Sequence, residues 1–171
     1  MTRLLALATA AAITLLPSNV IVSRTAVSQF FPEVTRTLIT GANSTATGTP
    51  KATRSVVYAN AAGSKKVTIS VDQYGSVSEA MAAYKQAVRK SKIPGMRPLS
   101  VPKVGQRAFA GTVTVNGEIH IGLGTVDGVL VVGTTPAGYD ATANNTARLV
   151  SLTRKENAAK AALFDGNDQD R

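Results

Sequence analysis

The sequence predicts an α+β domain in the order ββ-α-βββ-α, an antiparallel sheet of about five strands with two helices packed on one face. Three observations carry that reading. Val67, Ile69 and Val71 alternate with Thr68, Ser70 and Asp72, the period of two expected of a strand with one buried face. Ser76, followed by Glu79, forms a capping box ahead of Val77, Met81, Tyr84 and Val88, which recur at helical spacing until Pro94-Gly95. Asn116-Gly117 and Asp127-Gly128 separate three runs of alternating character. Both dipeptides suit type I′ hairpin turns, whose two central residues need positive φ.

Each element follows in order. Residues 55–59 are β-prone, 61–64 read as a turn, and the alternating run from Val67 pairs back on the first strand. The helix opened by Ser76 comes next. A connection containing Pro98 and Pro102 leads to a three-stranded meander over residues 106–115, 118–126 and 129–135. After Gly138-Tyr139, Asp140 is a plausible N-cap for a second helix marked by Ala143, Ala147, Leu149, Val150 and Leu152 and extending to residue 163. Residues 55–163 thus form the domain, and 164–171 form a polar tail. Strand order cannot be read from this pattern.

Residues 1–23 read as a signal peptide: Arg3 supplies a positive charge, and residues 4–16 run without one. That length fits the ~7–15 residue apolar region of a secretory signal and falls short of the ~20 residues needed to cross a bilayer. Cleavage is expected between residues 16 and 23, giving a secreted or periplasmic protein. Three alternatives remain open: an N-terminal membrane anchor left uncleaved, a buried core helix, and an organelle transit peptide. Ser23 also serves as an N-cap for a short helix, with Val22 and Val27 as a hydrophobic staple. Residues 24–54 then read as that short helix and a Thr/Gly/Ser/Pro-rich linker.

The composition excludes several chemistries. The 171 residues carry 19 Lys and Arg against 10 Asp and Glu, a net charge of +9, with one His and no Cys. Without Cys there is no disulfide, no thiolate nucleophile, no Cys-based zinc site and no acylated N-terminal Cys. One His leaves little from which to build a metal site, so neither metal nor cofactor is expected.

The succession Val67-Thr68-Ile69-Ser70-Val71, then Ser78-Glu79-Ala80-Met81-Ala82-Ala83-Tyr84, then Val104-Gly105-Gln106-Arg107-Ala108-Phe109, followed by strands and a C-terminal helix, resembles exported bacterial α+β domains. These include mycobacterial lipoproteins of the LpqN type and are related more distantly in shape to the Mog1 and PsbP proteins. The resemblance spans roughly residues 55–155 and rests on hydrophobic and turn positions. It implies an accessory binding domain of the envelope and transfers no catalytic residue. The missing Cys departs from the acylated members.

Two groups of residues are candidates for function. Lys85, Arg89, Lys90, Lys92, Arg97, Lys103 and Arg107 lie in a stretch without a single acid, so like charges repel there unless a partner neutralises them. The alternative is a solvated helix face. Glu118 and His120 share one face of a strand and orient one another as a general base would require; alternation equally makes them a solvent-facing pair beside a turn. Gly122-Leu123-Gly124 has the wrong spacing for a dinucleotide fingerprint. No aromatic platform interleaves with the basic run, so no nucleic acid is expected, and membrane contact is expected only through an uncleaved signal or surface charge. The sequence therefore predicts an exported, non-enzymatic binding domain for an anionic or protein partner of the cell envelope, of unspecified oligomeric state. Its rivals are a small hydrolase using Glu118 and His120, and a structural component of an envelope assembly.

Overall fold

A computed structural model describes residues 14–41 and 48–164. The first 13 residues of the expected signal, residues 42–47 of the expected linker and residues 165–171 of the tail lie outside the described residues. The chain forms β1 (Thr14–Leu15), a short 3-10 turn (Ser18–Val20), α1 (Arg24–Ser28), β2 (Arg36–Gly41), β3 (Ala52–Ala59), β4 (Lys66–Gln73) and α2 (Val77–Ser91). It continues through β5 (Arg97–Leu99), β6 (Arg107–Val115), β7 (Glu118–Asp127), β8 (Leu130–Ala137) and α3 (Ala143–Phe164).

The local signals have direct structural counterparts. Ser76 Oγ accepts from the N–H of Glu79 at 3.2 Å, while the Glu79 carboxylate reaches back to the N–H of Gly75 at 2.8 Å. At the β6–β7 turn Asn116 and Gly117 both take positive φ, as type I′ demands. The β7–β8 turn differs, because Asp127 stays in its strand opposite Leu130. Only Gly128 there has positive φ, the pattern of a type II′ turn with Gly first. The cap of α3 is Thr142, whose Oγ1 accepts from Asn145 N–H at 3.2 Å, rather than Asp140.

The sheet runs β1-β3-β4-β8-β7-β6-β5, with β2 also on the outer edge of β3. It is mixed, since β1 lies parallel to β3 while the other pairs are antiparallel. The expected five antiparallel strands and two helices are therefore corrected to eight strands in a mixed sheet and three helices, still within the α+β class. The three extra strands escaped for local reasons. β1 has two residues inside an apolar run, β2 has the Thr-rich composition of the presumed linker, and β5 contains Pro98, which suits only an edge strand.

The placement of both helices on one face is corrected as well. Val67, Ile69 and Val71 of β4 join a core with Leu149, Val150 and Leu152 of α3. A separate cluster joins Ala80, Ala83 and Tyr84 of α2 to Val126 and Val131. Neighbouring residues Val131 and Val132 enter different clusters, as alternation requires when α2 and α3 cover opposite faces. Ser70 and Asp72, the polar half of the β4 alternation, are buried under the second layer, with Asp72 accepting from Thr53 Oγ1 at 2.6 Å. An alternating strand was read as half-exposed because a face of Ser, Asp, Gly and Thr looks solvent-facing even when a helix covers it.

The segment from residue 14 to 34 completes the α3 face. Leu16, Val20, Ile21, Val22, Val27, Phe31 and Val34 are all buried in the same core as α3. Ser23 Oγ caps α1 by accepting from Ala26 N–H at 3.3 Å. Val22 donates its N–H to Glu156 Oε1 at 2.9 Å and accepts from the Tyr58 hydroxyl at 2.8 Å. Glu156 in turn holds Lys160 at 2.6 Å, both inaccessible to solvent. Burial pulls the Lys160 ammonium below its ordinary pKa, an effect the Glu156 carboxylate opposes. The pair is tolerated because each charge is also hydrogen-bonded to backbone.

Candidate functional site

The face beneath α2 is incompletely filled. On β7 the residues pointing to that face are His120, Gly122 and Gly124; β8 contributes Val131, Gly133 and Thr135, and β4 contributes Ser70 and Asp72. Four of the floor positions, Gly111, Gly122, Gly124 and Gly133, have no side chain, and a trough of about 400 Å³ remains between sheet and helix. Its sides are Tyr84, Ala87 and Val88 of α2, followed by Ile93 and Met96. Register places Gly111 opposite Gly122 and Gly124 opposite Gly133. That volume lies within the ~300–1,000 Å³ range of small-molecule sites, and its apolar lining with a few polar groups is typical of them.

A second hollow of about 540 Å³ adjoins it on the outer side of α2, toward residues 101–108. Four of the seven candidate basic residues meet here, Lys85 and Arg89 from the helix and Lys103 and Arg107 from the connection and β6. Lys90, Lys92 and Arg97 do not line it. All seven are exposed, and among the described residues no carboxylate forms an ion pair with any of them. The i, i+4 spacing of Lys85 and Arg89 puts both on one helical edge, and the chain turn after Pro102 brings the other two across from it. Tyr84, Val88 and Phe109 line both hollows. Burial raises the pKa of the Tyr84 hydroxyl, and Arg107 offsets part of that rise.

Glu118 and His120 stand at the far end of the trough. Glu118 Oε2 lies 3.5 Å from His120 Nε2, with the two side chains 32% and 31% exposed. His120 lines the trough, and among the described residues its side chain makes no other ion pair. The two residues are thus adjacent, half-buried and beside a cavity, without a third group to form a relay. Among the described residues no group of three His, Asp or Glu is placed to hold a metal ion. No helix of the described residues is long and apolar enough to cross a membrane.

The spacing of Gly122 and Gly124 excludes a dinucleotide fingerprint and suits a hairpin whose glycines allow close packing; the structure shows instead that they stand under open space.

No protein-family model matches the chain, and no curated protein sequence does. Among solved structures, the fold is similar to that of the extracellular domain of PknH from Mycobacterium tuberculosis, with a TM-score of 0.58, covering 82% of this chain and 94% of that one at 14% sequence identity. At that identity the likeness is one of fold.

Proposed function

We propose that the chain is an exported binding domain that recognises an anionic partner through the hollow formed by Lys85, Arg89, Lys103 and Arg107. The single observation that carries this reading is the gathering of those four side chains, from two separate stretches of the chain, around one depression, with no carboxylate paired to them among the described residues. Clustered unpaired cations raise the local concentration of anions and speed their capture. The fold shared with the extracellular domain of PknH supports an extracytoplasmic setting, and the resemblance to exported domains of the LpqN type agrees with it. In this reading the apolar residues ahead of Thr14 serve as the core of the export signal, and the burial of Leu16, Val20, Ile21 and Val22 favours a cut ahead of Leu16 over one as late as residue 23.

Binding to vesicles containing phosphatidylglycerol, against vesicles of phosphatidylcholine alone, tests it. The domain binds the anionic vesicles with an affinity that falls steeply as salt rises. Replacing Lys85, Arg89, Lys103 and Arg107 by Gln weakens that binding at least tenfold, while replacing Lys90, Lys92 and Arg97 by Gln leaves most of it. Equal losses in the two variants overturn the site, and unchanged binding by the fourfold variant overturns the reading.

A further inference from the structure

The trough beneath α2 and the basic hollow are parts of one path. On β6 alternate residues face α2, so Arg107, Phe109, Gly111 and Val113 form a continuous row that starts in the hollow and ends in the trough. Six residues of strand separate Arg107 from Val113, about 20 Å at ~3.4 Å per residue. The row is charged at one end and apolar beyond Phe109.

The floor glycines behave in two ways. A Cβ on Gly111 would meet Met96 Sδ at 2.9 Å, and one on Gly133 would meet Ser70 Oγ at 2.9 Å, so neighbouring side chains already occupy those spaces. A Cβ on Gly124 would meet nothing nearer than a backbone oxygen at 4.0 Å, and one on Gly122 nothing nearer than Thr135 Oγ1 at 3.9 Å. Neither residue has positive φ, so the backbone does not require glycine at either position. Glycine in a strand interior weakens the strand. Two of them side by side under unfilled apolar space leave room for something other than the protein's own side chains.

From this we infer that the site takes a single-chain anionic amphiphile, its carboxylate or phosphate head held by Lys85, Arg89, Lys103 and Arg107 and its apolar chain lying over Gly124 and Gly122. This assignment rests on the basic hollow as the anion site and adds the trough to it. An extended peptide fits less well. The strands under the trough pair with one another along nearly their whole length, β7 and β8 skipping Ile121 and Gly122, so a buried peptide backbone would find few partners and carry the desolvation cost of its amides. An alkyl chain has no such groups, and its burial is favourable in proportion to the apolar area removed from water.

Fluorescence enhancement of cis-parinaric acid, a conjugated single-chain carboxylate, measures the assignment directly on the whole chain. Wild type enhances the probe saturably, and Gly122→Val with Gly124→Val lowers its affinity at least tenfold by filling the trough, while leaving salt-sensitive binding to phosphatidylglycerol vesicles intact. Valine is favoured over glycine in strands, and thermal melting by circular dichroism confirms that this variant folds. Should it not fold, competition on wild type decides: dodecanoate displaces the probe, whereas dodecyltrimethylammonium, with the same chain and the opposite charge, displaces it at least tenfold less well. Parinarate binding unchanged by the double valine variant, or equal displacement by the two competitors, overturns the assignment. So does displacement by an acidic peptide at the concentration at which dodecanoate acts. If wild type binds the vesicles without enhancing the probe, the trough assignment fails and the basic hollow stands; if the fourfold Gln variant still binds the vesicles, the hollow itself fails.

Discussion

On one face of β7, Ile121, Leu123 and Thr125 are buried almost completely against α3 and the N-terminal segment. On the other face of the same strand, His120, Gly122 and Gly124 look into open space under α2. The pairing of β7 with β6 is continuous through both, so the difference lies in side-chain volume. The α3 face is filled by large aliphatic residues and by Phe31, which packs edge-on to Tyr139 at 5.0 Å. The α2 face has glycine, serine and threonine where the other has leucine and isoleucine. One layer holds the fold together, and the other has given up packing contacts in favour of a concave surface.

The sharpest way to break this comparison is to remove part of the closed layer. A chain beginning at Thr14 is expected to melt cooperatively, whereas one beginning at Arg24 loses Leu16, Val20, Ile21 and Val22 from the core together with the N–H that Val22 gives to Glu156. Four buried aliphatic side chains at ~1.5–3 kcal/mol each are together comparable to the ~5–15 kcal/mol stability of an ordinary domain, and the lost N–H leaves the buried Glu156 carboxylate short of a partner. The expected result is no cooperative transition by circular dichroism. A shorter chain that melts like the longer one would show that residues 14–23 contribute little to the core.

Matched truncations on adjacent strands come next. Ile121→Ala on the closed face is expected to cost ~2–5 kcal/mol. Val113→Ala, half-buried on the rim of the trough, is expected to cost below ~1 kcal/mol, since it removes two methyl groups worth ~0.8 kcal/mol each when fully buried. Chemical denaturation measures both. Similar losses would mean that the α2 face is as tightly packed as its opposite.

The smallest effect is a pH dependence. Burial pushes Tyr58 and Tyr139 up to about 12, helped by Glu156 and by Glu33 respectively, and raises Tyr74 and Tyr84 as well. A phenol whose pKa is higher when folded keeps its proton while the unfolded chain loses it. Its contribution is therefore complete below about 10 and is lost as the pH rises toward about 12. Stability should fall over that interval, with Tyr84 titrating first because Arg107 favours its phenolate. Near-ultraviolet phenolate absorbance, followed with and without Tyr84→Phe, checks the order; removal of the last-titrating fraction by that substitution would contradict it.

Much of the local structure was legible because it depends on near neighbours. A hydroxyl three residues before a carboxylate opens α2 whatever surrounds it, and Asn116-Gly117 reverses the chain because only such residues accept two successive positive φ values. The stretch without acids from Lys85 to Arg107 is likewise a property of the chain. The short edge strands were hidden, since the pairing of β2 and β5 with β3 and β6 is set by distant partners rather than by their own composition.

The sequence by itself determined the α+β class, the α2 cap, the β6–β7 hairpin and the basic character of the run from Lys85 to Arg107. Only the tertiary structure decided that α2 and α3 lie on opposite faces, that residues 14–34 belong to the core, that four of the seven cations converge, and that two glycines stay uncovered beside them. The physical reason is that periodicity states which side chains share a face, while what lies across from that face depends on contacts between residues far apart in the chain. A glycine under empty space and a glycine under a methionine sulfur read alike until those contacts are known.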